Sequence, residues 1–488
     1  MINQEPKIVF EYFDQLTKIP RPSKKEEKVI AFLEAFAKEH DLPFKKDKAG
    51  NVLISKPATK GYENRKSIVL QSHMDMVCEK NKDVGFNFDT DAIQTYIEDG
   101  WLKAKGTTLG ADNGIGVAME LAILASDDVE HGPVECLFTV DEETGLTGAM
   151  ELERSFFESD ILLNLDSEDE GEMFIGCAGG KGTMAEFEYT KTYADPNRVY
   201  LQIDVKGLRG GHSGGDIHLG LGNAVKILAR ALYELGAEVD YELASIDAGN
   251  LHNAIAREGH AVIGIDPSDK ESVAICINNF SALVQDELKG VDDGVKVTVS
   301  TTSTPDFCID LESSDRLIAA LIACPHGVLT MSHAIEGLVE TSTNLASVKM
   351  QNKEGDDDVL FVETSQRSSH DSLLEMVGDM VTATFSLAEA YVYERDGYPG
   401  WEPNMDSEIL KVVTDSYKRL FDKEPQVKAI HAGLECGLFK EKYPQLDMVS
   451  FGPTMRDVHS PNERMEIATV QMVWDHLLDI LKHAPVQA

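Results

Sequence analysis

Apolar residues fall along this chain in two rhythms. In the first third, short continuous apolar runs alternate with longer stretches of helical spacing. Residues 67–71 (Ser-Ile-Val-Leu-Gln), 134–140 and 161–165 are runs of strand length, and such runs mark strands buried on both faces. Residues 51–56 read as a further strand. Between the strands, residues 114–126 carry apolar side chains at helical spacing. Ser23-Lys24-Lys25-Glu26 reads as a capping box that opens an amphipathic helix ending near residue 40. Buried strands separated by helices predict an α/β fold around a mostly parallel sheet.

After about residue 186 the rhythm changes. Residues 200–205 alternate as a half-exposed strand does. Residues 223–235 read as helix, 261–265 as strand, 311–323 as helix, 359–364 as strand and 370–389 as a long helix. This texture predicts a separate α+β layer domain. From about residue 398 the first rhythm returns, with a helix at 407–421, strands near 427–430 and 448–451, and a closing helix at 465–482. Tyr398-Pro399-Gly400-Trp401-Glu402-Pro403 punctuates the junction. The expected organisation is one α/β domain, residues 1–186 and 397–488, interrupted by an inserted α+β domain at 187–396.

Length and charge narrow the picture. A chain of 488 residues suits two or three domains. The 84 acidic and 45 basic side chains leave a net charge of −39, which argues against a nucleic-acid partner. No apolar run approaches the ~20 residues that span a bilayer, and the first residues carry no apolar leader core. The seven cysteines are odd in number and scattered, with no Cys-x-x-Cys pair. That pattern predicts reduced thiols and a cytoplasmic protein without membrane attachment.

Candidate chemistry gathers at the ends of the buried strands. His73 and Asp75 follow the run at 67–71. Asp141-Glu142-Glu143 follows the run at 134–140, and Asp166 follows the run at 161–165. His459 lies in the loop beyond 448–451, and Asp112 lies in the turn Gly110-Ala111-Asp112-Asn113-Gly114 before a helix. Open α/β sheets bind ligands at the carboxyl ends of their strands. Two imidazoles and several carboxylates there suit a pair of Zn²⁺ ions, with one carboxylate able to bridge. Asp75, two residues after His73, is better placed to hydrogen-bond that imidazole than to bind metal. The pair Glu142-Glu143 offers one carboxylate for metal and one for proton transfer.

Two rival motifs fail. Gly179-Gly180-Lys181-Gly182-Thr183 lacks the glycine and hydroxyl spacing of a phosphate loop. Cys436, five positions after His431, has nothing near it in sequence that would activate a thiol.

Three long strings carry a resemblance. They are residues 105–116 (Lys-Gly-Thr-Thr-Leu-Gly-Ala-Asp-Asn-Gly-Ile-Gly), 210–215 (Gly-Gly-His-Ser-Gly-Gly) and 430–437 (Ile-His-Ala-Gly-Leu-Glu-Cys-Gly). Through them nearly the whole chain resembles the di-zinc peptidases that include the carnosinases, carboxypeptidase G and bacterial β-Ala-His dipeptidases. The resemblance implies that His73 and Asp166 hold one zinc, that Glu143 and His459 hold the other, and that Asp112 bridges them. Co²⁺ or Mn²⁺ would be able to substitute. It makes Glu142 the general base, Asp75 the acid beside His73, and the inserted domain a lid whose His212 faces the scissile carbonyl. Asn253 resembles the family's lid asparagine, although Ala256 replaces the usual proline. Arg367 resembles the arginine that grips a substrate carboxylate. His431 and Glu435 are expected to line the substrate pocket or support its loop. The implied substrate is a small dipeptide of Xaa-His type, including β-Ala-His, and a homodimer through the lid is a further expectation. The rival functions are a related di-zinc aminoacylase or tripeptidase, and a catalytically silent binding protein of the same fold. The intact set of ligand and base residues argues against the last.

Overall fold

The computed structural model describes residues 1, 3–353 and 356–487. The chain forms two compact units. The first comprises Met1–Gly176, Trp401–Ala429 and Leu434–Ala488, and the second Cys177–Gly400 and Ile430–Gly433.

The first unit is built on an eight-stranded sheet among the described residues. Its centre is parallel. Ile68–His73 runs between Val134–Thr139 and Ile161–Asn164, and Asp447–Ser450 continues in the same direction beyond Ile161–Asn164. Val52–Lys56 and Phe44–Lys46 extend one side antiparallel, and Glu172–Cys177 meets Asp447–Ser450 antiparallel on the other. Every residue of Ile68–His73, Val134–Thr139 and Ile161–Asn164 is buried, which explains their predominantly apolar sequence. Their register pairs His73 with Thr139, and Asn164 with both Gln71 and Ser450. The carboxyl ends of these strands therefore reach one edge together.

A smaller antiparallel sheet brings two distant loops to that edge. Thr95–Glu98, Trp101–Ala104, Arg464–Glu466 and Met455–Arg456 pair in that order. The loop carrying His459 is thus set beside the segment that leads into the Asp112 turn. Helix Ala111–Ala125 packs against Ile68–His73 and against helix Lys7–Leu16. The sequence pattern did not disclose Lys7–Leu16, although Val9, Phe10, Phe13 and Leu16 form its buried stripe.

The expected capping box is corrected. The helix spans Glu27–Glu39, with Glu26 at its N-cap and no side-chain cap bond. The Ser23 hydroxyl donates instead to Asp75 Oδ2 at 2.7 Å. A buried carboxylate gains more from a donor than a helix end near solvent gains from an acceptor.

The second unit is a nine-stranded antiparallel sheet among the described residues. Helices Ala224–Gly236, Lys270–Glu287, Leu311–Ala323 and Asp371–Leu387 share one core with its strands. Leu228, Ile277, Leu321 and Phe385 meet Ile203, Ile263, Val348 and Val362 there. Helix Lys270–Glu287 escaped the sequence pattern because its buried stripe is narrow: Val273, Ile277, Phe280 and Val284. The strand expected at 359–364 is longer, Asp356–Ser368, because it pairs along its length with Val339–Lys353 on one side and Gly179–Glu188 on the other. Helix Ala224–Gly236 is capped by Asn223, which accepts from the N–H groups of Val225 and Lys226.

Leu70 is 0% exposed at the middle of the parallel sheet. Leu70→Ala is expected to lower unfolding free energy by about 2–5 kcal/mol, measured from guanidinium titrations. A loss below about 1 kcal/mol would show that this strand is not part of the central core.

Candidate metal centre

Two ligand groups meet at the carboxyl edge of the first unit's sheet. In one, His73 Nε2 lies 3.0 Å from Asp112 Oδ1 and 3.4 Å from Asp166 Oδ1. In the other, His459 Nε2 lies 3.1 Å from Asp112 Oδ2 and 2.9 Å from Glu143 Oε2. Asp112 belongs to both groups, one carboxylate oxygen to each. The candidate ligand atoms of His73, Asp112 and Asp166 lie within 4.8 Å of one another, as do those of Asp112, Glu143 and His459. His73, Glu142 and Glu143 form a further group on the same criterion.

Local structure explains how each side chain arrives. His73 is the last residue of its strand. Asp166 follows Ile161–Asn164 and is held by the Asn113 side-chain amide, which also donates to Leu165 O at 2.8 Å. Glu142 and Glu143 begin a short helix after Asp141, whose φ of 48° is unusual for a side-chain-bearing residue. Asp141 is kept there by Thr144 and Thr147, which donate to its carboxylate, and by its N–H, which donates to Glu26 Oε1 at 3.0 Å. His459 also has a left-handed backbone, with φ of 60°. Such conformations persist where surrounding contacts fix them and cluster at functional sites.

Asp75 is wholly buried beside this centre. Its Oδ1 lies 3.3 Å from His73 Nδ1. It accepts the N–H groups of Glu142 at 3.1 Å and Glu143 at 3.3 Å, along with the Ser23 hydroxyl. One carboxylate therefore links the His73 ring to the start of the Glu142-Glu143 turn.

The electrostatics describe a site that wants cations. Burial raises Asp166 to about 6, with Asp112 adding to the rise and His73 opposing it. Burial likewise raises Glu142 well above the ordinary carboxylate range. Asp112 is pushed up by burial but held low on balance by hydrogen bonds with His459 and His73. His73 is pushed down by burial, yet Asp166, Asp112 and Asp75 raise it well above an ordinary imidazole. His459 is raised to about 11 by its bonds to Asp112 and Glu143. Among the described residues, no lysine or arginine forms an ion pair with Asp112, Glu143 or Asp166. Glu143 Oε1 is buried without a hydrogen-bond partner. Carboxylates gathered out of water need paired cations or metals, so this donor set fits two divalent ions sharing Asp112.

Several neighbours were not evident from sequence. Glu168, raised to about 7 by burial, then by Asp112 and Asp166, also faces this centre. Arg21 and Glu463 lie buried behind it. Their sequence signals were slight: Arg21 stands between two prolines, and Glu463 follows His459 by four residues.

The second unit gathers a different set. His212 Nδ1 accepts the N–H groups of Gly214 at 3.2 Å and Gly215 at 3.0 Å. A neutral ring must then carry its proton on Nε2. Partial desolvation and the charge of Arg367 lower the His212 pKa, which keeps the ring neutral. Arg367 is buried. Its Nη1 donates to Tyr398 Oη at 2.8 Å, and its Nε has no hydrogen-bond partner among the described residues. Gly214 makes room for this packing, because a Cβ there would lie 2.2 Å from His431 O and 3.1 Å from Arg367 Nε. His431 Nε2 lies 2.7 Å from the Ser342 hydroxyl. Asn253 is exposed, and its backbone carbonyl accepts from Ser213 N at 2.8 Å.

Glu435 was expected to line the substrate pocket or to support its loop. It is 2% exposed in the first unit, whereas His431 belongs to the second. Its carboxyl accepts from Gln71 Nε2 at 2.7 Å and Thr139 Oγ1 at 3.0 Å, and burial raises it to about 8. At the start of helix Glu435–Lys442, it lies within reach of the charges of His73 and Asp166. Cys436 is wholly buried, consistent with the rejection of a nucleophilic thiol.

Comparison with known proteins shows the family. Residues 69–483 match the model of peptidase family M20/M25/M40. The chain is 40% identical to the cytosol non-specific dipeptidase of Escherichia coli (strain K12) over 482 residues, covering 99% of this chain and 98% of that one. Its structure is similar to that of the aminoacylhistidine dipeptidase of Vibrio alginolyticus, with a TM-score of 0.93, 42% identity and coverage of 100% of this chain and 98% of that one. A tripeptidase from Staphylococcus aureus shares the fold at a TM-score of 0.60 and 16% identity, with 99% of each chain covered. The chain belongs to peptidase family M20/M25/M40.

Burial, then Arg367, His212 and His218, depress His431 to about 3. A histidine depressed on folding stabilises the native state above the unfolded value of about 6.5, and that contribution is lost as pH falls further. The His431 ring resonances should therefore stay constant between pH 7.5 and 5.5 in a histidine-labelled sample. A midpoint near 6.5 would contradict the buried, neutral ring.

Proposed function

We propose that the chain is a metal-dependent dipeptidase whose catalytic centre is the pair of ligand groups joined by Asp112. The observation that carries this reading is the split of the Asp112 carboxylate, one oxygen toward His73 and Asp166, the other toward His459 and Glu143. The E. coli and Vibrio relatives, both named as dipeptidases, support the substrate class. Preference for Xaa-His dipeptides follows the Vibrio relative's name, and β-Ala-His follows the family resemblance alone.

His73 and Asp166 would hold one Zn²⁺, Glu143 and His459 the other, and Asp112 both, with Co²⁺ or Mn²⁺ able to replace zinc. Bound there, the ions supply Lewis-acid polarisation and a lowered pKa for water. Glu142 is the general base. Its carboxylate takes the proton from the attacking water as the new C–O bond forms, then gives it to the leaving nitrogen as the C–N bond breaks. Asp75 acts as a positioning residue, because it touches both the His73 ring and the backbone of Glu142 and Glu143. His212, neutral with its proton on Nε2, is suited to donate to a carbonyl oxygen that gains negative charge. Arg367, aligned by Tyr398, is suited to pair with a substrate carboxylate, and Asn253 is assigned to substrate contact by resemblance.

We place the protein in the cytoplasm, in line with the E. coli relative's name and the absence of disulfides among the described cysteines. Among the described residues no helix is long and apolar enough to cross a membrane. A homodimer through the second unit is the proposed assembly, to be checked by sedimentation.

One preparation assayed for metal content and on a peptide panel tests the function. Free dipeptides should be cleaved, N-acetylated dipeptides and tripeptides much less. Preferential cleavage of acylated substrates would favour an aminoacylase, and of tripeptides a tripeptidase. Chelation should abolish activity, and added Zn²⁺, Co²⁺ or Mn²⁺ should restore it. Glu142→Gln should lower kcat by about 10²–10⁴-fold while bound metal stays at the wild-type level. Near-normal kcat would remove Glu142 from the role of base.

A further inference from the structure

Two buried side chains of opposite charge lie behind the ligand residues, and the mechanism above uses neither. Glu463 is 3% exposed and faces the start of helix Ala111–Ala125. Its Oε2 accepts the N–H groups of Leu109 at 2.6 Å and Gly110 at 3.0 Å. Its Oε1 accepts those of Ala111 at 2.7 Å and Asp112 at 3.4 Å. The backbone at Asp112 and Asn113 is non-helical, so the turn before the regular helix leaves these N–H groups without helical partners. Gly110, at the N-cap, has no side chain to offer them. A carboxylate 351–354 residues away in sequence does so instead.

Arg21 is 2% exposed. Its Nη1 donates to Met74 O at 3.2 Å and to Asp75 O at 2.7 Å, and its Nη2 donates to Gly110 O. The guanidinium needs glycine on its far side, since a Cβ at Gly110 or Gly114 would lie 2.6 or 2.5 Å from Nη2. Gly110 also has φ of 69°. This residue is therefore held through its N–H by Glu463 and through its carbonyl by Arg21.

Each side chain joins two segments that carry ligands. Arg21 ties the end of the His73 strand to the turn before Asp112. Glu463, four residues after His459, ties the His459 loop to that same turn. Asp112 is the carboxylate shared by both groups, so its place relative to each imidazole passes through these two contacts.

We propose that Glu463 is a positioning residue for the metal pair. It sets Asp112 against His459, on a turn whose carbonyl Arg21 grips, so that Glu463 governs chiefly the affinity of the Glu143–His459 position. The proposal rests on the two-metal reading above. Outer partners of metal ligands typically change affinity or activity about 10–100-fold when altered.

Glu463→Gln preserves shape but turns an amide NH₂ toward one of the two pairs of backbone N–H groups. Glu463→Asp preserves charge but, one methylene shorter, cannot reach both pairs. Zinc binding to the metal-free variants, followed by chelator competition, gives affinities at both positions, and thermal unfolding with and without zinc gives Tm. Both variants are expected to weaken one zinc position about 10–100-fold and the other much less. The metal-free Tm should stay near wild type, and the rise in Tm on adding zinc should shrink. Two zinc ions bound within about three-fold of wild-type affinity would overturn the proposal. So would a variant that no longer folds, because Glu463 would then be a helix cap and nothing more. A wild-type protein that binds no zinc would instead sink the two-metal reading itself.

Discussion

Asp112, Asp166 and Glu143 lie almost out of water, and imidazoles are their ion-pair partners among the described residues. Charge held this way is unfavourable unless cations and hydrogen bonds compensate it. Much of the first unit reads as an answer to that constraint. The parallel strands deliver the side chains to one edge. Asn113 holds Asp166, while Asp75 holds His73 and the Glu142-Glu143 turn. Behind them, Glu463 satisfies the N–H groups of the Asp112 turn, and Arg21 gathers its carbonyl with those of Met74 and Asp75. A divalent pair completes this arrangement chemically, since it supplies the positive charge that the surrounding side chains lack.

The two units use the same residue type in opposite ways. His73 and His459 sit against carboxylates, which raise both imidazoles above the ordinary range. His212 and His431 sit near Arg367, and both are driven toward the neutral form. Neutral imidazoles suit hydrogen-bond donation to an oxygen that develops charge, whereas imidazoles among carboxylates suit metal. The environment, rather than the residue, divides these tasks.

Particular elements show where sequence reading succeeds. Residues 68–73, 134–139 and 161–164 are buried on both faces, so their apolar runs are continuous and visible. The polar residues that interrupt each run stand out as candidates because a strand ends there. Helix Lys270–Glu287 was invisible for the converse reason, since its narrow buried stripe is diluted by polar neighbours. Ser23 was misread because a capping box is a local pattern, whereas its hydroxyl is claimed by a carboxylate 52 residues away.

The sequence by itself determined the α/β texture and singled out the candidate ligand residues and the acid beside His73, because these depend on burial and on residue type at strand ends. Tertiary structure alone decided that Asp112 turns one oxygen to each ligand group, and that Arg21 and Glu463 fix the turn which carries it. Those contacts join segments tens to hundreds of residues apart through backbone N–H and C=O groups, which every residue possesses and no sequence pattern records.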